Sequence, residues 1–281
     1  VKYLTLTGSL LCSLIISSCT GNQPHAKGKL YIIGGGEKPE IIMNEIAGLS
    51  GIRSGGYMYV LPMASSLPDS AIIWASNDFG VAGITKVPGY NFKKGETPPL
   101  PQLDSLRNAK LIFISGGDQS RFMDIVLNTP IMDAIHYAYM KGAIISGTSA
   151  GAAVMSKLMI TGNQKLNPDL ENLFPTIEEG NIEIREGLGL LKNTIIDQHF
   201  VKRQRLNRLI AVSIENPGKL CVGIDESTAI IVEGDQATVT GVGQVIVIKN
   251  INEKKKTHYG LLGMEGLELS VLLPGDKFSI K

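Results

Sequence analysis

Cysteine is scarce in this chain: there are three in 281 residues, Cys12, Cys19 and Cys221. Cys12 falls in an apolar leader and Cys19 ends it, so Cys221 stands alone in the body. No intrachain disulfide is expected, and no Cys/His cluster has the spacing of a metal site. A GxGxxG fingerprint is also missing, which argues against a nicotinamide cofactor. No cofactor of any kind is therefore anticipated. Charge of one sign is lacking too, with 27 Lys and Arg against 26 Asp and Glu. Loss of Lys2 with the leader would balance the two signs. Global steering of nucleic acid or anionic lipid is therefore not supported, and any charge-based recognition must be local. There is no internal repeat. Histidines number four, which narrows the search for a general base.

The longest apolar run near the start, residues 4–16, is too short to span a bilayer. Lys2 before it and Ser17-Ser18-Cys19 after it make residues 1–18 a secretory leader. A cysteine after two small residues resembles a bacterial lipobox, in which Cys19 becomes the lipidated first residue of the mature chain. The expectation is an exported lipoprotein, periplasmic or at the cell surface, touching the membrane only through its anchor. Residues 19–28 then form a tether and residues 29–281 a single domain.

Hydrophobic residues make up 43% of the chain, enough for one sizeable α/β core. Lys29–Ile33 reads as a strand that empties into Gly34-Gly35-Gly36, glycines suited to a backbone turn near a ligand. Residues 39–49 and 70–79 have helical period, residues 57–63 and 81–87 read as strands, and residues 88–101 as a loop. A continuous apolar strand over residues 109–115 ends in Gly116-Gly117-Asp118-Gln119, before a helical pattern over residues 121–127. This alternation predicts an α/β fold with a mostly parallel sheet, helices on both faces and ligands at the carboxyl ends of the strands. Beyond Glu226 the chain is β-rich. Those strands are expected to complete the sheet, and a second copy of the chain is a candidate partner there.

The stretch with most chemical content is residues 142–156, GAIISGTSAGAAVMS. It reads as a buried strand, a turn fitting GxSxG (Gly147-Thr148-Ser149-Ala150-Gly151) and a small-residue helix. Such an elbow presents Ser149 at the sheet edge, with unpaired helix-start amides beside it for a developing oxyanion. The Gly117 and Ala150 amides are candidate donors, because the two glycine turns end strands of the same kind.

A base is sought among the histidines. His25 lies in the tether, His136 in a helical stretch and His258 in a solvated turn. His199 ends the apolar strand over residues 194–199 and is the better candidate. Its orienting carboxylate is Asp197, Asp225 or Glu226, and spacing alone does not choose. Four basic residues follow within seven positions. In a helical pattern Leu206, Leu209 and Ile210 share an apolar face while Arg205 and Arg208 share another, serving either as a solvated face or as a carboxylate-binding cluster.

Taken in order, GGDQ, GTSAGAA, GLGLL, DQHF with RQRLNR, and GIDESTA resemble the cyanophycinase branch of the S51 serine peptidases. The resemblance implies Ser149 as nucleophile, His199 as general base and Glu226 as orienting acid. It places Gln119, Asp197, Gln198, Arg203, Arg205 and Arg208 around the substrate. It also implies a flavodoxin-like sheet of the class I amidotransferase kind, and hydrolysis of β-aspartyl-arginine units from an Asp- and Arg-rich polymer. An aspartyl dipeptidase of the broader family and an inactive substrate-capturing lipoprotein are the alternatives. Residues 158–185 match no motif and are read as a loop able to reshape the pocket.

Overall fold

The computed structural model describes residue 1 and residues 26–170, 173–252 and 254–281. The rest of the leader, Cys19 and His25 lie outside the described residues. The first half alternates strands and helices: β1 (Lys29–Ile33), α1 (Glu40–Ser50), β2 (Met58–Leu61), α2 (Pro68–Gly80), α3 (Leu100–Arg107), β3 (Leu111–Ile114), α4 (Gln119–Val126), α5 (Pro130–Lys141), β4 (Ile144–Thr148) and the single-turn α6 (Ala150–Ala153). Strands then dominate: β5 (Leu158–Gln164), β6 (Ile182–Glu186), β7 (Thr194–Gln198), α7 (Leu206–Glu215), β8 (Leu220–Ile224), β9 (Thr228–Glu233), β10 (Gln236–Gly241), β11 (Val245–Asn250), β12 (Lys256–His258), β13 (Leu261–Gly263), β14 (Leu267–Leu272) and β15 (Lys277–Ser279).

The central sheet runs β15-β10-β9-β1-β4-β3-β2. Strands β1, β4, β3 and β2 pair in parallel, and β9, β10 and β15 extend the sheet antiparallel. Period-two alternation sends the side chains of each inner strand to two separate cores. Leu30, Ile32, Ile112 and Ile114 face the layer of α3, α4, α5 and α6. Tyr31, Ile33, Leu111 and Phe113 face α1 and α2.

Local chemistry explains where the helices start. The Asp118 carboxylate accepts from the Ser120 and Arg121 amides to cap α4, and Thr129 caps α5 ahead of Pro130. Pro68 opens α2 in the same way.

Three expectations are corrected. Residues 81–87 form no regular strand: Gly83 has φ 78° and Pro88 interrupts the ladder, so only scattered bonds such as Met58 N to Lys86 O (3.1 Å) reach β2. The late strands do not all join one sheet, since β7, β8, β11 and β14 form a second, four-stranded sheet in the order β14-β11-β8-β7. Residues 158–185 are not a loop throughout, because their two ends are β5 and β6, which pair antiparallel with a register shift between Ile160 and Gln164, and only the connection between them is irregular.

The turn after β4 depends on absent side chains. A Cβ on Gly147 would lie 2.3 Å from the Gly151 carbonyl oxygen, and one on Gly151 would lie 2.3 Å from that of Ile114. Backbone so placed cannot yield cheaply. Gly151→Ala is therefore expected to lower unfolding free energy by at least about 2 kcal/mol in urea titration. Gly48→Ala, in the last turns of α1 with open space around it, should raise it by about 0.5–1 kcal/mol.

Candidate active site

Strands β1, β3, β4 and β7 end at one edge, and the segments that leave them meet there. Ser149 follows β4 with φ 54° and ψ −111°, a conformation that costs energy for a residue with a side chain. It is held there because its amide donates to the Ile33 carbonyl at 3.0 Å. The next two carbonyls of the same chain do equivalent work. Gly34 O accepts from the His199 amide at 2.7 Å, and Gly35 O from the Ser227 amide at 2.8 Å. His199 and Ser227 also have positive φ, 49° and 56°.

These contacts explain the three glycines after β1. A Cβ on Gly34 would fall 2.2 Å from the Asp225 carbonyl oxygen, one on Gly35 2.3 Å from the His199 ring, and one on Gly36 2.8 Å from the Glu226 Cβ. The turn was expected to approach a ligand; it packs against the imidazole and the carboxylate instead.

Ser149 Oγ lies 2.8 Å from His199 Nε2, and His199 Nδ1 lies 2.6 Å from Glu226 Oε1. With the Nδ1 proton donated to Glu226, Nε2 is left to accept from the serine hydroxyl. Burial pushes the imidazole below its ordinary value, the Glu226 hydrogen bond pulls it back up, and the charges of Arg203 and Arg205 press it further down. The neutral ring can therefore take a proton near neutral pH.

The other candidate carboxylates are engaged elsewhere. Asp225 accepts from the Lys202 amide at 2.9 Å and so closes the turn after His199. Asp197 is 1% exposed and bonded through both oxygens to the Arg208 guanidinium, which is 2% exposed. Asp197 and Arg208 line no part of the cleft and neutralise each other in the interior, a correction to their expected place around the substrate. The helix faces are corrected as well: Leu206 is exposed and Arg208 is buried over the Phe174 ring, 5.0 Å from its centroid.

The other two described histidines lie elsewhere. His136 Nε2 lies 2.7 Å from the Leu188 carbonyl oxygen, and His258 is exposed against Tyr259.

A cleft of about 270 Å³ opens at Ser149, lined by Gly117, Asp118, Gln119, Ser120, Gln198, Arg203 and Arg205 on the near side. Gln198 Oε1 approaches Ser149 Oγ at 3.5 Å, and the Arg205 guanidinium donates to the Gln198 carbonyl at 2.6 Å. Burial and the neighbouring Arg208 push the Arg205 guanidinium down to about 10, so it still carries its charge at neutral pH.

The far wall, Thr161-Gly162-Asn163, was not legible from sequence. These residues sit where the β5–β6 register shifts, and such bulges re-aim backbone next to sites. Gln119 reaches across to hold them, its amide donating to the Ile160 and Thr161 carbonyls at 3.1 and 2.5 Å. Gly117 also lines the cleft, while Ala150 opens α6 and so has no earlier turn to receive its amide. No group of His, Cys, Asp and Glu able to hold a metal occurs among the described residues.

A serine at a strand-to-helix elbow, bonded to an imidazole above the edge of an α/β sheet, is the architecture of a serine-type hydrolase. The model of peptidase family S51 matches residues 32–240, and the chain belongs to that family. It is a serine-type peptidase. A cyanophycinase of Nostoc sp. is 32% identical over 267 residues, covering 90% of this chain and 86% of the relative. One of Synechococcus elongatus is 30% identical over 277 residues, covering 95% and 83%. A solved structure of a peptidase from an acI-B1 Actinobacterium shares the fold, with TM-score 0.67 over 92% of this chain and 98% of that one at 22% identity.

Two measurements test the electrostatics. Replacing Arg208 with Ala removes both of its bonds to the buried Asp197 carboxylate, whose remaining ion-pair partner among the described residues is the Arg205 guanidinium at 3.6 Å, and should cost about 3–5 kcal/mol of stability, whereas Arg203→Ala, at the surface, should stay within about 0.5 kcal/mol. In the pH profile of kcat/KM the acid limb should lie below the ordinary imidazole value. Arg203→Ala removes a positive neighbour that disfavours the imidazolium, so it should move that limb to higher pH; an unmoved limb contradicts the assignment.

Proposed function

We propose that the protein is a serine exopeptidase that releases β-aspartyl-arginine units from a polymer or peptide rich in Asp and Arg. The observation that carries the mechanism is the unbroken hydrogen-bonded chain Ser149–His199–Glu226 at the mouth of the cleft. Ser149 Oγ attacks the scissile carbonyl while His199 Nε2 takes its proton, and Glu226 holds the ring and offsets the imidazolium charge. The Gly117 and Ala150 amides receive the developing oxyanion. Collapse expels the amine, protonated by His199, and water then hydrolyses the acyl-enzyme by the same route in reverse.

The cleft's charge supports the substrate class. Arg203 and Arg205 form a basic wall for aspartyl carboxylates, Asp118 adds a carboxylate to the same cleft, and behind the far wall Glu183 accepts from Thr161 and Asn163. A zwitterionic Asp-Arg unit meets opposite charge at both ends of such a groove. The similarity to cyanophycinases agrees with this reading. Partial similarity to a peptidase E of Actinobacillus pleuropneumoniae, 27% identical over 51% of this chain, supports an aspartyl dipeptidase as the second reading.

In the same proposal residues 1–18 are a secretory leader, Cys19 is the lipidated anchor and residues 29–281 are one peptidase domain working outside the cytoplasm. Cys19→Ser should then move the protein from the membrane to the soluble fraction.

Hydrolysis of an insoluble Asp/Arg polymer, of β-Asp-Arg peptides and of α-Asp dipeptides should be compared directly. Turnover of the first two, falling on the order of 10⁶-fold in Ser149→Ala, is expected. Turnover of α-Asp dipeptides alone selects the second reading, and Ser149→Ala within tenfold of the parent rejects a serine mechanism.

A further inference from the structure

We infer that the pole of the molecule opposite the cleft is a docking face for an anionic membrane surface. Strands β1, β3, β4, β7 and β8 all point their carboxyl ends at the cleft edge, so their amino ends share the far pole, about 16 Å away for a five-residue strand. Of the strands with this orientation all but β2 have a lysine within the three preceding residues: Lys27 before β1, Lys110 before β3, Lys141 before β4, Lys192 before β7 and Lys219 before β8. Lys157 joins them, its amide bonded to the Leu191 carbonyl at 2.8 Å.

These six lysines have no ion-pair partner among the described residues. Nearby cations do pair: Lys29 with Glu233, Lys281 with Asp235 and Arg107 with Asp104. Because the whole chain carries a net charge of only +1, this local excess makes the molecule electrically two-sided.

Two adjoining cavities of about 420 and 530 Å³ occupy the pole and share Gly189, Lys192 and Asn193. Lys157, Lys192 and Lys219 converge on the first, against the single acid Glu186. Such a cluster suits a phosphate headgroup, each lysine acting within a Debye length of the surface. Ala26 lines the second cavity, so the chain that precedes it connects to the body at this pole. Tyr137 and Met140, both exposed there, add the apolar contact that an interface accepts, with the Lys141 ammonium 5.6 Å from the Tyr137 ring. A chain attached beside spaced lysines favours a headgroup plane over a soluble polyanion. The docked protein turns its cleft away from the bilayer and toward incoming polymer.

The inference shares with the proposed localisation the premise of work at a membrane, but its test omits the anchor, so the two fail separately. The chain from Thr20 onward, which holds every described strand and helix, is sedimented with vesicles of phosphatidylcholine alone or mixed with phosphatidylglycerol. Binding is expected only to the anionic vesicles and should fall with salt. The Lys157→Gln/Lys192→Gln/Lys219→Gln variant should lose it by on the order of a hundredfold, while Lys93→Gln/Lys249→Gln/Lys254→Gln keeps it. Both variants should melt as the parent does, and vesicle-bound parent should hydrolyse a soluble peptide at its free rate. Equal binding to neutral vesicles, equal loss in the control variant, or loss of hydrolysis on binding overturns the inference. So does capture by soluble polyaspartate through the same lysines without vesicle binding.

Discussion

Three consecutive carbonyl oxygens, those of Ile33, Gly34 and Gly35, hold the site together. Each accepts one amide from a different segment, that of Ser149, His199 or Ser227. The segments come from the two separate sheets and from the connection between them, and each is bent through positive φ where it meets the loop. One rigid turn thus fixes the relative position of hydroxyl, ring and carboxylate. It does so at a distance that leaves no room for a Cβ, which is why glycine occupies three positions in a row.

Strain and support are separated in this design. The unfavourable backbone of Ser149 is offset by its bond to Ile33 O and by the close approach of Gly147 and Gly151, while the buried Asp197–Arg208 pair anchors α7 to β7 below the cleft. Arg205 lies between these two layers. It braces the Gln198 carbonyl from beneath and still borders the cleft, so its charge depresses the His199 imidazole together with that of Arg203.

Much of this was legible in the sequence, because short-range geometry specifies it. The GTSAG turn, the strand-end His199 and the alternation of β and α follow from glycine placement and apolar period. What escaped depends on partners distant in the chain. Amphipathic reasoning turned Arg208 outward, since nothing local reveals that Asp197, eleven positions earlier, supplies a buried counter-charge. Spacing left three acids able to orient His199; the family resemblance named Glu226, and it is the loop after β1 that brings Glu226 to the ring. The bulge over Thr161-Gly162-Asn163 is set by pairing with β6 across a long connection, and Gln119 holds it from another strand's exit. Residues 81–87 had strand-like composition but meet the edge strand β2 through turns that Gly83 and Pro88 impose.

The central claim is that the loop after β1 presents Ser149 to His199 as an activated nucleophile. Treatment of the parent with an alkyl fluorophosphonate, followed by peptide mass mapping, tests it most directly, because only a hydroxyl with a base in place reacts readily with such a reagent. The account predicts one adduct, on Ser149, that is lost in His199→Ala. An actively hydrolysing preparation that acquires no adduct, or acquires it on another residue, contradicts it.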